Sequence, residues 1–355
     1  MEKANRWKQQ TGEVGWQSPA NIALVKYWGK HPIQLPMNPS LSFALKESVV
    51  RIRIAYEVSE HKAFQLTGFR LNGEAHPGFA GKIENYLLGL AEEYPFINTA
   101  QLRISSESTF PHSAGIASSA AAFSALALCI CSMDEQINGR TSDKATFLRR
   151  ASHLARLGSG SACRSVYPGM VIWGQSKQFA ESSDTHAWPL PKEQVHASFH
   201  DIRDAILIAD SKSKKVSSSA GHALMHKHPY RDQRKLQAMD NLLKISEALQ
   251  SGDWQMFGEV IENEALTLHS LMMSSNPGYI LMHPNTLMMI NKIRDFREET
   301  QVPAYFTLDA GPNIHLIYPG AAEQQVTNFI ADELAPLCEN QRWIADAAGP
   351  GPQPF

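Results

Sequence analysis

Three short segments carry the residue types that phosphoryl chemistry requires. The first is Phe110-Pro111-His112-Ser113-Ala114-Gly115-Ile116-Ala117-Ser118-Ser119-Ala120-Ala121, which joins a glycine-containing turn to two adjacent hydroxyls and a strongly helical run. Gly115 frees the backbone to approach an anion, and Ser118 and Ser119 add donors. The helix that follows, expected from Ala120 to about Met133, turns its unpaired N–H groups and positive dipole end toward the loop. The second segment, Asn21-Ile22-Ala23-Leu24-Val25-Lys26-Tyr27-Trp28-Gly29-Lys30, is an apolar strand-like run that contains one lysine and ends on another. An unpaired buried ammonium is costly, so Lys26 should meet a carboxylate or a phosphate. In the third, Tyr305-Phe306-Thr307-Leu308-Asp309-Ala310-Gly311-Pro312-Asn313, a short apolar strand runs directly into an aspartate and a Gly-Pro turn. A phosphate cradle, a lysine seeking an anion and a strand-end acid together suit a phosphorylated ligand.

These groups must be positioned by more than one core. A chain of 355 residues exceeds the size at which a single core keeps growing, so two domains sharing a cleft are expected. Alternating apolar residues predict strands over 49–56, 64–71 and 102–106. Helical periodicity dominates afterwards, at 83–90, 147–157, 236–249 and 254–271. The stretch 175–200 is rich in Ser, Lys, Gln and Pro and lacks periodicity, which places the domain junction near 180–200. A strand at 205–209 opens the second half, and strands on either side of Asp309 and a final helix close it. The last residues, 349–355, read as a disordered tail. The class is α+β.

Composition narrows the function classes. A formal net charge of −2 argues against a broad nucleic-acid-binding surface and confines any phosphate-binding charge to a local site. Cys129, Cys131, Cys163 and Cys338 form no CxxC pair, and two of them lie in an apolar helix, so buried free thiols in a reducing cytosol are expected. The first residues have no apolar signal core, and the apolar run 120–131 is too short to span a bilayer. The expectation is a soluble cytoplasmic protein with small-molecule partners, without nucleic acid or membrane.

Ser18-Pro19-Ala20-Asn21-Ile22-Ala23-Leu24-Val25-Lys26-Tyr27-Trp28-Gly29-Lys30, the 111–121 loop, Gly158-Ser159-Gly160-Ser161-Ala162-Cys163-Arg164-Ser165 and Asp309-Ala310-Gly311-Pro312-Asn313 resemble diphosphomevalonate decarboxylases, members of the GHMP kinase superfamily. The four blocks span roughly residues 18 to 313 in the family's order. The 111–121 block is common to the superfamily, whereas the Lys26-Tyr27-Trp28 and Ser161-Ala162-Cys163-Arg164 blocks mark the decarboxylase branch. The resemblance implies a two-domain GHMP kinase fold: a ribosomal-S5-like ATP-binding domain over 1–190, a ferredoxin-like domain over 191–348 and the tail over 349–355. It also implies a homodimer, and ATP-dependent decarboxylation of mevalonate 5-diphosphate to isopentenyl diphosphate with Mg²⁺ accompanying the nucleotide.

Carried residue by residue, the resemblance makes Asp309 the group that orients or deprotonates the 3-hydroxyl, with Lys26 beside it. Arg164 is expected to hold the C1 carboxylate in its planar fork. Ser159, Ser161 and Asn21 are expected around the same pocket, and Tyr27, Lys30 and His222 toward the phosphate end. Pro111, Gly115, Ala117, Ser118 and Ser119 are expected at ATP. A structural salt bridge at Lys26–Asp309 and turn capping by the serines are the plainer readings of the same residues. His222, His226 and His228 suggest a metal, but no acidic or Cys ligand lies near them in sequence, and no protein metal site is expected. The family pattern is departed from at His31-Pro32-Ile33-Gln34, where Arg or Asn and then acidic residues are usual, and at His222, where methionine is usual. Nor does a clear arginine occupy the region after Leu71-Asn72-Gly73. A phosphomevalonate decarboxylase, a kinase that stops after phosphorylating the 3-hydroxyl, and a non-catalytic ligand sensor are the alternatives on the same fold.

Overall fold

The computed structural model describes residues 9–110, 118–212 and 216–355. Two antiparallel-rich sheets face each other. The N-terminal sheet is built on two long strands, β1 (Gln10–Val25) and β2 (Ser40–Val58), which pair along almost their whole length. Strand β3 (Gln65–Leu71) lies parallel to β4 (Ala100–Ser108), and β4 pairs with the second half of β2. The first half of β2 turns instead to β5 (Met170–Trp173). Alternation explains how β2 is used: Val50, Ile52 and Ile54 are buried while Arg51 and Arg53 on the opposite face are exposed.

Helix α1 (Pro77–Gly89) covers the β3 end, and α2 (Ser118–Asn138) and α3 (Lys144–Gly158) cover the inner face. The run expected at 120–133 is longer at both ends: it takes in Ser118 and Ser119, and Asp134 and Ile137 continue the buried face past Met133. By length and composition alone α2 could cross a membrane, yet most of it is enclosed by β1, β2 and α3. It is the core helix of its layer. Cys129 and Cys131 are buried there as free thiols, as are Cys163 and Cys338 elsewhere.

The C-terminal sheet comprises β6 (Ile202–Leu207), β7 (Tyr305–Leu308), β8 (Ile314–Pro319) and β9 (Trp343–Ala347), in the order β7-β8-β6-β9 and all antiparallel. Helices α4 (Ser218–Leu224), α5 (Arg231–Ser251), α6 (Trp254–Met273) and α7 (Pro284–Thr300) connect β6 to β7, and α8 (Glu323–Phe329) lies between β8 and β9. This second-third-first-fourth order is the ferredoxin-like arrangement. The sequence reading ended on a helix and did not include β9, whose five residues follow several short helical turns.

Parity decides which face meets the N-terminal sheet. Tyr305 packs into the large shared core, while Phe306 and Leu308 point into a second core with α7 and Val326 of α8. The same two-residue period, continued past β7, brings Asp309 round to the inter-sheet side. The two sheets are also tied by Asp346 of β9, whose carboxylate accepts from the backbone N–H groups of Lys46 and Glu47 at 2.9 Å each, Ser48 at 2.9 Å and Ala347 at 2.8 Å. The Lys46, Glu47 and Ser48 donors lie where β2 passes from β5 to β4, and the carboxylate is the partner that pairs them.

Residues 349–355, expected to be disordered, are ordered. Gly349 donates its N–H to Ala44 O, and β10 (Gln353–Pro354) pairs with Trp16 and Gln17 at the free edge of β1. An open sheet edge offers unpaired backbone groups, and the terminal residues satisfy them. Replacing Asp346 with Ala takes the acceptor from one buried and three partly buried N–H groups at once, so D346A is expected to lose roughly 3 kcal/mol of stability. D346N, which keeps one acceptor oxygen, is expected to lose less. The midpoint of urea unfolding measures both, and equal midpoints for wild type and D346A would contradict the tie.

Candidate functional site

β1 ends at Val25, which still pairs with Leu41. Lys26 therefore follows the strand rather than lying within it, and its peptide groups are taken by side chains. Glu264 Oε2 of α6 accepts the Lys26 N–H at 2.7 Å; Arg234 Nη2 of α5 and Asn38 Nδ2 each donate to Lys26 O at 2.9 Å. The lysine side chain is 2 % exposed. Its ammonium donates to Asp309 Oδ1 at 2.9 Å and to Ala23 O at 2.6 Å. The carboxylate foreseen for Lys26 is thus Asp309, and that carboxylate keeps 24 % of its side chain open to solvent. A buried cation beside a partly open carboxylate on a strand end is the arrangement of a positioned base.

Arg164 lies on the same side. It follows α3 in a short helical turn, Gly160–Val166, and is 2 % exposed. Nε donates to Ser42 Oγ at 2.9 Å and Asn21 Oδ1 at 3.2 Å, Nη1 to Ser40 Oγ at 2.7 Å and Nη2 to Asn21 Oδ1 at 3.1 Å. All of these acceptors are neutral. Burial pulls the guanidinium pKa down, opposed in part by negative charge at Asp309. An arginine held in a neutral cradle, with no carboxylate at contact distance among the described residues, is prepared for an incoming anion. Asn21, expected among the substrate contacts, has both ends of its amide occupied: Nδ2 donates to Ser165 Oγ at 2.8 Å and Ser161 O at 3.1 Å while Oδ1 serves Arg164. Its place is behind the arginine, as the group that orients it.

Tyr27 closes the other wall. Its ring meets Trp173 at 4.6 Å and His222 at 4.4 Å between centroids, and its hydroxyl is buried with no hydrogen-bond partner among the described residues. Burial raises the phenol pKa, so the group stays neutral. A buried hydroxyl without a partner in this position is one that a ligand would satisfy. Gly160 allows the contact, since a Cβ there would lie 2.7 Å from Tyr27 Oη and 2.8 Å from Trp173. Ser159 and Ser161, on either side of Gly160, are half-buried at the same turn.

Toward the phosphate end, Lys30 donates to Gln34 Oε1 at 2.9 Å, and partial burial lowers its pKa. His222, from α4, packs against Tyr27 and Trp28 and accepts the Gly29 N–H on Nδ1 at 2.9 Å. The proton of the neutral ring is then on Nε2. Gly29 supplies this contact in a left-handed conformation (φ 90°) that places its Cα against Met37. Burial first, and then the Lys30 charge, push the His222 pKa down to about 3. His226 is exposed, and His228 is spent on Leu271 O, Ser274 Oγ and the Tyr230 N–H. No group of three or more His, Cys, Asp or Glu side chains arranged to hold a metal occurs among the described residues.

Ser118 and Ser119 begin α2, half-buried and exposed respectively. Pro111, Gly115 and Ala117, expected at the nucleotide, lie outside the described residues. The sequence reading brought together Lys26, Asp309, Arg164, Tyr27 and His222; it did not find Glu264, Arg234 and His269, whose side chains hold the peptides of Lys26 and Asp309.

Two family models match the chain. Residues 18–187 match the diphosphomevalonate decarboxylase-like N-terminal domain, and residues 205–349 match the mevalonate 5-diphosphate decarboxylase C-terminal domain. The diphosphomevalonate decarboxylase of Candida albicans is 27 % identical over 95 % of this chain and 96 % of its own length. That of Gibberella zeae is 30 % identical over 85 % of this chain and 79 % of its own length. The mevalonate diphosphate decarboxylase of Staphylococcus aureus superposes with a TM-score of 0.81 at 28 % identity, covering 98 % of each chain. A solved complex containing MVAPP, AMPPCP and magnesium superposes with a TM-score of 0.81 at 25 % identity, covering 98 % of this chain and 99 % of that one.

The His222 environment fixes a pH dependence of stability. Its folded pKa of about 3 lies below the ordinary 6.5, so between those values the unfolded chain binds a proton that the native chain does not. Stability therefore falls as pH drops below 6.5, by up to about 1.4 kcal/mol per pH unit from this residue. H222Q removes the dependence. Urea midpoints at pH 7 and pH 5 for both proteins test it, and parallel losses in the two would contradict the assignment.

Proposed function

The chain belongs to the diphosphomevalonate decarboxylase family, and from that premise we propose that the Lys26–Asp309–Arg164 site decarboxylates mevalonate 5-diphosphate at the expense of ATP, giving isopentenyl diphosphate, ADP, phosphate and carbon dioxide. The observation that carries this reading is the buried guanidinium of Arg164, close enough to feel the charge of the Asp309 carboxylate yet hydrogen-bonded, among the described residues, to neutral acceptors. A site built only to phosphorylate a hydroxyl has no need of that charge; a site that must hold and release a carboxylate does.

The tertiary 3-hydroxyl of the substrate is a poor leaving group. Asp309 orients it and takes its proton as the oxygen attacks the γ-phosphorus of ATP, and Lys26 Nζ neutralises charge that builds at the transferring oxygens. Departure of the new phosphate leaves cationic character at C3. The C1–C2 bonding pair then becomes the C2–C3 double bond and carbon dioxide is freed. Arg164 grips the C1 carboxylate until that bond breaks, and Asn21, Ser40 and Ser42 keep the guanidinium turned to it. Ser159, Ser161 and the Tyr27 hydroxyl line the substrate, and Lys30 and His222 take the diphosphate end.

Ser118 and Ser119, with the preceding loop, are proposed at the ATP phosphates because donors at a helix start suit an anion. Mg²⁺ fits as an ion carried by the nucleotide phosphates and water, supplying charge neutralisation during transfer. We assign residues 1–190 and 191–348 as the two domains; the residual segment returns to β1. Cytoplasmic residence is favoured by four buried free thiols, and a homodimer is the assembly that the family resemblance favours.

Purified protein incubated with Mg-ATP and mevalonate, its 5-phosphate or its 5-diphosphate is expected to release isopentenyl diphosphate and phosphate from the diphosphate alone, followed by mass spectrometry. Conversion of the monophosphate in preference would move the substrate, and a phosphorylated product that keeps its carboxylate would mean a kinase. D309N is expected to lower kcat about 10²- to 10⁴-fold. R164K keeps the charge but loses the fork, and is expected to lower kcat/KM about 10- to 100-fold.

A further inference from the structure

Lys26 and Asp309 come from different sheets, and what sets their separation is not the ion pair alone. The N–H and C=O of Lys26 lie beyond the last paired residue of β1, where water or any neutral side chain would satisfy them. Beside Asn38, whose Nδ2 donates to the carbonyl, the chain brings a buried ion pair to them. Glu264 is fully buried and Arg234 is 3 % exposed. Arg234 Nη1 and Nη2 donate to Glu264 Oε1 and Oε2 at 2.7 and 2.6 Å, and Asn241 Nδ2 adds a bond to Oε1 at 2.7 Å. Glu264 then holds the Lys26 N–H, and Arg234 the Lys26 carbonyl, closing a ring of three residues. Taking two charges out of water is expensive, and a two-point geometry is what the ring gains.

Five residues further along α6, His269 Nε2 donates to the Asp309 carbonyl at 3.1 Å. At 1.5 Å rise per residue these anchors are spaced about 7.5 Å along one rigid helix. Asp309 is further fixed by the Gly311 N–H, which donates to its carbonyl at 2.7 Å.

We propose that helix α6 is the ruler of the active site: Glu264, locked by Arg234, holds the peptide of Lys26, while His269 holds the peptide of Asp309, so that one helix sets the distance between the cation and the base. Glu264, Arg234 and His269 are positioning residues, since their contacts are to backbone atoms of Lys26 and Asp309. The inference rests on the decarboxylase reading for its kinetic consequence, and on geometry alone for its structural one. A displacement of about 1 Å between reacting groups costs on the order of 10²-fold, and that is the loss expected when the ruler is cut.

The test uses the full chain carrying R234A, E264Q or H269A, with mevalonate 5-diphosphate and Mg-ATP. R234A is expected to lower kcat about 10²-fold while KM for ATP changes less than about twofold. The acid limb of its kcat/KM profile is expected to move to higher pH, because a carboxylate that loses its cation holds its proton more tightly. A groove of about 1000 Å³ between α5 and α6 is lined by Arg234 and Asn241, so millimolar guanidinium is expected to enter and restore part of the rate. Combined with R234A, E264Q removes both buried charges while keeping an acceptor for the Lys26 N–H, and guards against a fold lost to one unpaired buried charge. A crystal structure of R234A is expected to show Lys26 Nζ and Asp309 Oδ1 more than about 4 Å apart, beyond ion-pair contact.

Variants that melt earlier but keep the wild-type kcat, pH profile and 2.9 Å ion pair would overturn the ruler and leave a structural salt bridge. Wild-type protein that fails to convert the diphosphate, together with a lengthened ion pair in R234A, would instead sink the decarboxylase reading and leave the ruler standing.

Discussion

The buried ammonium of Lys26 is the constraint from which the site is built. A lysine that is almost wholly withdrawn from water must be compensated, and the Asp309 carboxylate reaches it, from the end of a strand in the opposite sheet. The ion pair therefore exists only when the two sheets are seated on one another. The large hydrophobic core, which takes Ile22 and Leu24 from β1 together with Ile206, Ile261 and Tyr305 from the C-terminal half, supplies the energy for that seating. Asp346 supplies its register, by gripping three consecutive N–H groups of β2. The Lys26–Asp309 pair is thus coupled to folding: the carboxylate is held beside its cation only in the assembled two-sheet protein.

A second charge is managed in the opposite way. Arg164 is as deeply buried as Lys26, but the residues around it are Asn21, Ser40 and Ser42, which orient without neutralising. Low local dielectric makes such a charge costly in the free protein and correspondingly attractive to an anion. Among the described residues one cation meets a carboxylate and the other meets neutral acceptors. On the proposed reading that division separates the proton-handling side of the site from the carboxylate-holding side, and it follows from two short motifs, one at the end of β1 and one on the turn after α3.

Much of this was legible in the sequence. Lys26 was visible as a charge in an apolar run, Asp309 as an acid terminating a strand, and Arg164 as a cation in a Gly-Ser turn, because each violates the pattern around it. Glu264 violates a pattern too: Ile261, Ala265 and Leu268 surround it on the buried face of α6. The exception went unread because α6 also carries Glu259, Glu262 and Asn263, and charges on an amphipathic helix normally mark its solvated side. Arg234 and His269 have the same ambiguity, which only the tertiary pairing resolves. The terminal segment was misread for a related reason. Gly349, Pro350, Gly351 and Pro352 have the composition of a tail, but the free edge of β1 offers them hydrogen bonds that composition does not register.

The phosphate end differs in physical character from the rest of the pocket. Lys30 shares its ammonium with the neutral amide of Gln34, and His222 is held uncharged with its Nδ1 already occupied. Ile33 and Gln34 both adopt left-handed backbone angles, φ 58° in each, a conformation that costs a β-branched residue such as isoleucine. That cost is met from outside the loop, by Arg156, whose guanidinium holds the Ile33 carbonyl and the carbonyl of Thr185. A strained rim fastened by an arginine keeps Gln34 over Lys30, so the lysine presents fewer free donors than it would on an open loop. Selectivity at this end then depends on how well a ligand competes with Gln34 for Lys30. A diphosphate, with more charge and more acceptor oxygens than a monophosphate, competes better, and the departures at His31–Gln34 and His222 are consistent with the same substrate gripped by a less cationic rim.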